Sequence, residues 1–297
     1  MSSGDFYGLP VHTLENDYLK LEYLAEAGPR LVRLFAAGSD QNILAEAPET
    51  FWETPYGRFY IRGGHRLWHA PEKMARTYIP DNDGLVVTEL PEGVRLEAPQ
   101  EPDTAVHKTM TIHLHADRPA LTIEHTLLNG GVWPVELAPW AITQVRLGGT
   151  AVFPQQVGQL DEDGLLPNRQ LTLWPYTRLN DARLHLDDDY ILVGPDVDAQ
   201  AFKIGCFNRH GWLAYFLDDV LFVKRFPVRE DQLYPDFGCN AEIYANDKFM
   251  ELESLGPLTL LQPGQSVSHS ETWEVHGRLT PPQTADEMRG LINQYVL

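Results

Sequence analysis

Two glutamates, Glu251 and Glu253, stand two residues apart in the run Phe249-Met250-Glu251-Leu252-Glu253-Ser254-Leu255-Gly256-Pro257-Leu258. Their alternation with Met250 and Leu252 reads as a β-strand, which places both carboxylates on one face, about 7 Å apart by the strand rise. If both are buried, like-charge proximity raises the pKa of one, and such a pair suits general acid–base work. On a solvated strand the same two residues would serve solubility alone.

The densest polar and aromatic cluster is Tyr60-Ile61-Arg62-Gly63-Gly64-His65-Arg66-Leu67-Trp68-His69-Ala70-Pro71-Glu72. Its glycines let backbone approach a ligand, Arg62 and Arg66 offer forked donors, and Trp68 offers a flat apolar face. His65, His69 and Glu72 have a spacing that holds a metal on a helix, but Gly63-Gly64 and Pro71 oppose a helix, so ligand binding by a loop is the expectation. Asp236 and Glu242, in Tyr234-Pro235-Asp236-Phe237-Gly238-Cys239-Asn240-Ala241-Glu242, are further acidic candidates; their plain reading is a turn followed by an edge strand. His107, His113 and His115 fall on one face with Thr109 and Thr111, a pattern that the polar side of an antiparallel sheet explains better than a metal cluster.

The elements that must position these residues are nearly all strands. Alternation over Tyr18 to Tyr23 and Arg30 to Phe35, with Gly28-Pro29 between, predicts a hairpin. The block Asn42 to Glu72 holds no clean period and reads as a long ordered loop or short edge strands. Strands are expected at Leu85 to Leu90, Val94 to Ala98, Val106 to His115, Leu121 to Leu128 and Val135 to Val145, with turn residues between them. After a polar stretch from Phe153 to Asp189 they resume at Tyr190 to Val193, Phe202 to Phe207, Trp212 to Leu217 and Leu221 to Phe226. Asn240 to Tyr244, Phe249 to Leu255 and Ser266 to Val275 complete them. One helix is expected, at the C-terminus: Thr284 and Glu287 form a capping box, and Met288, Leu291, Ile292 and Tyr295 share a face. The expectation is an all-β chain, one domain over residues 1–297, built as a large antiparallel β-sandwich with a short C-terminal helix.

Bulk properties restrict the partners. The chain has 297 residues, 43% of them hydrophobic, enough for a substantial core. A formal charge of −19 disfavours nucleic acid and anionic membranes as partners. Cys206 and Cys239 read as buried free thiols, no secretion signal opens the sequence, and no apolar run reaches the roughly 20 residues of a membrane helix, so a cytoplasmic protein is expected. There is no Gly-x-Ser-x-Gly elbow, Walker loop, dinucleotide fingerprint, zinc-protease helix or Cys-x-x-Cys, and neither a metal nor a cofactor is expected.

Ile61-Arg62-Gly63-Gly64 with Trp68 resembles the Ile-Arg-Gly-Gly…Trp-Pro loop of hexose-6-phosphate epimerases, in the galactose mutarotase-like superfamily, and Met74-Ala75-Arg76 is similar to the Phe-Ala-Arg that follows there. Leu127-Leu128-Asn129 resembles the Leu-x-Asn segment that in aldose 1-epimerases leads to His-Pro-Tyr. This chain has Pro139-Trp140-Ala141 in that place, where Trp140 reads as either core or a stacking platform. Leu252-Glu253-Ser254-Leu255 matches the family's catalytic Leu-Glu-Thr-Gln strand in place. Together these stretches resemble a bacterial branch labelled domain of unknown function 4380. The resemblance implies a mutarotase-type sandwich and a small-molecule carbohydrate as partner.

It further implies Glu253 as base, Glu251 as its neighbour, and Arg62 or Arg66 on the sugar. Trp68, Glu72, Arg76, Trp140, Asp236 and Glu242 join the binding set, with His65 or His69 as acid. Opening an aldose ring takes the anomeric hydroxyl proton and protonates the ring oxygen, hence an acid and a base. The alternatives are a non-catalytic carbohydrate-binding or sensing protein and, more weakly, a lyase or hydrolase on the same fold.

Overall fold

A computed structural model describes residues 3–155 and 157–297. Two large antiparallel sheets pack face to face. The first runs, in spatial order, Ser3–Phe6, Leu9–Glu15, Leu19–Leu24, Arg30–Ala36, His65–Ala70, Val135–Val145, Met250–Leu255, Ala241–Ala245, Phe202–Cys206 and Thr172–Leu173, with Thr259–Leu261 paired to one end of Val135–Val145. The second runs Leu184–Leu186, Tyr190–Val193, Thr150–Pro154, Trp212–Leu217, Val220–Arg225, Ser266–His276, Ala120–Asn129, Val106–Leu114, Gly93–Glu97 and Val86–Leu90. Their facing apolar residues, among them Leu21, Leu31, Leu67, Leu252 and Ile243 from one sheet and Ile112, Ile123, Phe222 and Trp273 from the other, form one continuous core.

Most strands obey the two-residue period. In Ser266–His276, for example, His269, Glu271, Trp273 and Val275 are buried, while the residues between them are only partly so. The outer face of Val106–Leu114 carries His107, Thr109, Thr111 and His113, as its alternation suggests. Thr284 Oγ1 accepts from Glu287 N at 3.2 Å and caps the helix Ala285–Tyr295. That helix lays Met288, Ile292 and Val296 against Trp212, Phe216 and Val223 on the outer face of the second sheet.

Two sequence expectations are corrected. The cluster Tyr60 to Glu72 is not a loop. It comprises the end of Gly57–Gly63, which pairs with Glu46–Thr54 as a projecting hairpin, and His65–Ala70, an interior strand of the first sheet. Gly63 and Gly64 join them at φ 87° and 68°. A Cβ would stand 2.0 Å from Ala45 O at the first and 1.8 Å from Leu31 O at the second, so only glycine permits this crossing. The strand lacks visible alternation because both of its faces are buried, its six residues all classing as buried. Ala241–Ala245 is likewise not an edge strand: it lies between Met250–Leu255 and Phe202–Cys206. No helix among the described residues is long and apolar enough to cross a membrane.

Candidate functional site

The outward face of the first sheet carries a cleft of about 510 Å³. Register decides what points into it. Arg66 pairs with Ile142 and Trp68 with Trp140; Gln144 pairs with Glu251 and Ile142 with Glu253. Glu251 pairs in turn with Tyr244, Glu253 with Glu242, and Tyr244 with Lys203. Because alternate residues share a face, Arg66, Trp68, Trp140, Gln144, Glu242, Tyr244, Glu251, Glu253 and Lys203 lie on the cleft side. The opposite set, including His65, Leu67, Thr143, Leu252 and Ser254, faces the second sheet.

Aromatic rings build the walls. Trp52 and Thr50 reach over from the projecting hairpin, and Trp68, Tyr78, Trp140, Trp174 and Tyr244 line the interior. Trp68 meets Trp140 edge-on at 5.4 Å and Tyr78 at 5.0 Å between centroids. Glu72 lines the cleft and accepts a short hydrogen bond from the Tyr78 hydroxyl. Such flat apolar surfaces beside carboxylates suit a ring carrying hydroxyl groups.

Two ion-pair groups underlie the cleft: Arg66, Trp140, Lys203 and Glu251 line it, whereas Gln144, Glu242 and Glu253 are fully buried behind that lining. Arg66 Nη2 donates to Glu251 Oε1 at 2.9 Å, and Gln144 Nε2 donates to the same oxygen at 2.8 Å. The Arg66 guanidinium also stacks over Trp68 at 4.1 Å. Burial raises the Glu251 carboxyl above its ordinary range, Arg66 opposes the rise, and Glu253 adds to it.

In the second group Glu253 Oε2 accepts from Trp140 Nε1 at 2.6 Å and from Lys203 Nζ at 2.9 Å, leaving Oε1 without a partner. Lys203 Nζ also lies 2.7 Å from Glu242 Oε2, an ion pair without hydrogen-bond alignment, and 4.7 Å from the rings of both Trp140 and Trp174. Burial works against this ammonium, yet Glu242 and Glu253 raise its pKa well above the ordinary lysine value.

The other expected residues are placed elsewhere. His65 is fully buried between the sheets, with Nε2 2.7 Å from His125 Nε2 and Nδ1 2.9 Å from Thr143 Oγ1. His69 shares that face and is buried with Nε2 3.9 Å from Glu101 Oε2. Both imidazoles are on the wrong side of the strand to reach the cleft, so the expectation of either as acid is corrected. Burial is the leading cause that depresses both pKa values, His65 strongly.

Arg62 is also turned away: it donates to Asp81 Oδ1 at 2.9 Å and Asn82 Oδ1 at 2.7 Å, which leaves Arg66 as the arginine of the cleft. Arg76 donates to the Pro71 carbonyl at 3.1 Å and does not line the cleft. Asp236, Glu242 and Glu253 also lie outside the lining.

His65, His125 and Glu271 converge, with ligand-type atoms within 4.8 Å. Their contacts are those of a hydrogen-bond network. Glu271 Oε1 meets Lys224 Nζ at 2.8 Å and Ser254 Oγ at 2.5 Å, and its Oε2 accepts from Trp273 Nε1 at 2.8 Å. The Lys224 ammonium supplies the positive charge there and ties the sheets together, bonding the Ala141 and Leu252 carbonyls at 2.8 and 2.9 Å. His65, His69 and Glu72 do not come together. A second depression of about 610 Å³, lined by Gly38, Asp40, Asp218 and Arg278, has no aromatic wall.

Sequence reasoning passed over Lys203, Tyr78, Trp174 and Tyr244. For Lys203 a signal existed: a lone lysine inside the apolar strand Phe202–Cys206 needs a buried anion. The aromatics had none, since their convergence depends on chain segments distant in sequence.

No family model matches the chain, and no curated protein does; the likeness to the 4380 branch rests on its motifs. Among solved structures, a galactose mutarotase-like protein from Lactobacillus casei aligns over 90% of this chain and 100% of its own at TM-score 0.61 and 13% identity. A galactose mutarotase related enzyme from Lactobacillus acidophilus aligns over 92% and 100% at TM-score 0.54 and 11% identity. A provisionally assigned aldose 1-epimerase from Escherichia coli K12 aligns over 90% and 99% at TM-score 0.56 and 13% identity. The chain has the galactose mutarotase-like fold.

Proposed function

We propose that this protein binds a small carbohydrate in the cleft and interconverts its anomers, as an aldose 1-epimerase-like isomerase. The observation that carries the reading is the pairing of a restrained carboxylate with an aromatic-walled cleft. Glu253 is held on Oε2 by Trp140 and Lys203, and its Oε1 is unpartnered. That oxygen is fully buried behind the lining residues Trp140 and Lys203, and once a sugar hydroxyl reaches it, it accepts a proton without first giving up a hydrogen bond. Glu251, fixed by Arg66 and Gln144, lines the cleft as the accompanying hydrogen-bond acceptor. Exchange NMR of D-glucose and D-galactose anomers tests the reading. Faster exchange with the protein, lost in Glu253→Gln with binding retained, is the expected result; unchanged exchange for every sugar that binds overturns it.

A second reading, a non-catalytic carbohydrate-binding or sensing protein, is favoured by one observation. No histidine is among the described residues that line the cleft, so the acid of the related enzymes has no direct counterpart. That reading expects saturable sugar binding with no acceleration of exchange by the unaltered chain.

A further inference from the structure

Ring opening needs a proton for the ring oxygen as well as a base, and no described histidine lines the cleft. Three cations do: Arg66, Lys203 and Lys248. The guanidinium of Arg66 does not give up a proton in a folded protein. Lys248 is exposed, with Nζ turned to Thr50 Oγ1 of the projecting hairpin at 3.4 Å. We propose that the Lys203 ammonium delivers the proton to the ring oxygen, as the acid partner of Glu253, an inference that rests on the isomerase reading above.

Phe202–Cys206 sends Phe202 and Ile204 into the core and Lys203 to the cleft. Its backbone is clamped there: Lys203 N donates to Thr177 Oγ1 at 2.8 Å, and the Thr177 hydroxyl donates to Lys203 O at 2.6 Å. The chain just before Thr177 supplies Trp174 and Tyr176 to the cleft wall. Nζ lies 4.7 Å from the ring centres of both Trp140 and Trp174, so two lining indoles hold the ammonium at the cleft surface. One aligned hydrogen bond leaves it, to Glu253 Oε2 at 2.9 Å, while Glu242 Oε2 at 2.7 Å balances charge without that alignment. An ammonium has three N–H groups, which leaves donor capacity for a ligand oxygen.

Glu253 stands behind this lysine, fully buried and outside the lining. A sugar hydroxyl that reaches Glu253 therefore sits against Lys203 as well. The oxygen that loses a proton and the oxygen that gains one are both bonded to the anomeric carbon, so an acid and a base that are hydrogen-bond neighbours can span them. Glu242 and Glu253 keep the ammonium charged against burial. The freed ring oxygen is an alkoxide, a stronger base than an amine, so transfer from even this lysine runs downhill.

Glu253 Oε1 takes the anomeric hydroxyl proton, and the released O–H electrons form the carbonyl at C1. The C1–O5 bond breaks with its electron pair on O5, which takes a proton from Lys203 Nζ. The ion pair Lys203–Glu253 has then become a neutral amine and a neutral acid, so the total charge of the buried group is unchanged. After rotation about C1–C2, O5 attacks the other face of the carbonyl and returns its proton to the amine. The carbonyl electron pair moves to O1, which takes back the proton from Glu253, and atoms and charge balance over the cycle.

Anomer exchange of D-glucose and D-galactose, followed by NMR in the full chain, tests the role with two variants. Lys203→Arg keeps the positive charge between Glu242 and Glu253 but has no proton to give. It should fold and bind sugar as the parent does, by thermal unfolding and calorimetric titration, and lose about 100-fold or more in turnover. Lys203→Ala should be inactive and regain exchange with added methylammonium or ethanolammonium, at rates that follow the acidity of the added ion, and with potassium chloride at equal concentration should regain none. A purely structural lysine would give no such dependence. Exchange at the parental rate in Lys203→Arg, with Glu253→Gln inactive, overturns the acid assignment and leaves the isomerase reading intact. A folded Lys203→Ala that neither ammonium ion restores also overturns it; if that variant does not fold, Lys203→Arg decides. No exchange by the unaltered chain with either sugar overturns both readings.

Discussion

Trp140 Nε1 donates a 2.6 Å hydrogen bond to Glu253 Oε2. The two side chains rise from adjacent strands, with Trp140 paired to Leu255 and Glu253 to Ile142. One indole thereby serves the cleft twice, as a wall and as the donor that orients the candidate base.

Substituting Trp140→Phe keeps an aromatic wall and removes the donor. A hydrogen bond to a charged group contributes about 1.5–3 kcal/mol. Sugar exchange should therefore fall by roughly 10- to 100-fold, with a change in half-saturation of no more than a few-fold. Steady-state exchange by NMR separates the two. A variant as active as the parent would mean that Lys203 alone orients Glu253.

The Arg66–Glu251 pair should behave as a buried ion pair, with side chains only 3% and 10% exposed. Removing one partner leaves the other charge buried and alone, a loss of about 3–5 kcal/mol. Urea unfolding of Arg66→Met should show that loss, and the double variant with Glu251→Leu should recover most of it. An Arg66→Met protein as stable as the parent would show that the pair is already solvated.

The face carrying Glu251 and Glu253 was legible in sequence because Met250 and Leu252 alternate with them and enter the core, as a strand requires. The sandwich and its terminal helix were legible for the same reason: periodicity reports which side is buried. His65–Ala70 was not, because burial on both faces erases the alternation and Gly63-Gly64 imitates a loop. That error put His65 and His69 into the cleft, whereas a strand sends them to the face opposite Arg66 and Trp68. Lys203 joins Glu253 only through pairing between segments far apart in the chain, which no local pattern records.

Trp52 tests the rim. It is 42% exposed, lines the cleft from the projecting hairpin, and stacks on Phe59 at 6.2 Å. Trp52→Ala should weaken sugar binding roughly tenfold, equivalent to about 1.4 kcal/mol. Its stability loss should be about 1 kcal/mol, from the lost aromatic contacts. Calorimetric titration alongside thermal unfolding gives both values. Equal affinity in the variant would place the sugar entirely on the inner rings.

Stability should fall with acid through the histidines between the sheets. Burial depresses His125 and His269 to about 3, with Lys224 pushing the same way and Glu271 opposing it at His269. The unfolded chain protonates these imidazoles below about pH 6.5. Between that pH and 3 the unfolded state binds protons that the folded state refuses, so unfolding becomes easier as pH drops. Each histidine contributes a slope of about 1.4 kcal/mol per pH unit. Glu101, held to about 2 by Lys108 and His69 against burial, and Glu274, held to about 2 by His276 and Arg225, shift the same balance only below about pH 4.3. His65 and His69, depressed by burial in the same way, add to the loss between pH 6.5 and 4.5, whereas Glu242 and Glu251, raised by burial, oppose it. Urea unfolding at pH 7, 6 and 5 should show it, and His125→Gln, which titrates nowhere in this range, should lower the slope by one histidine's share, about 1.4 kcal/mol per pH unit. A flat profile over those pH values would mean that the histidines between the sheets already carry protons in the folded state.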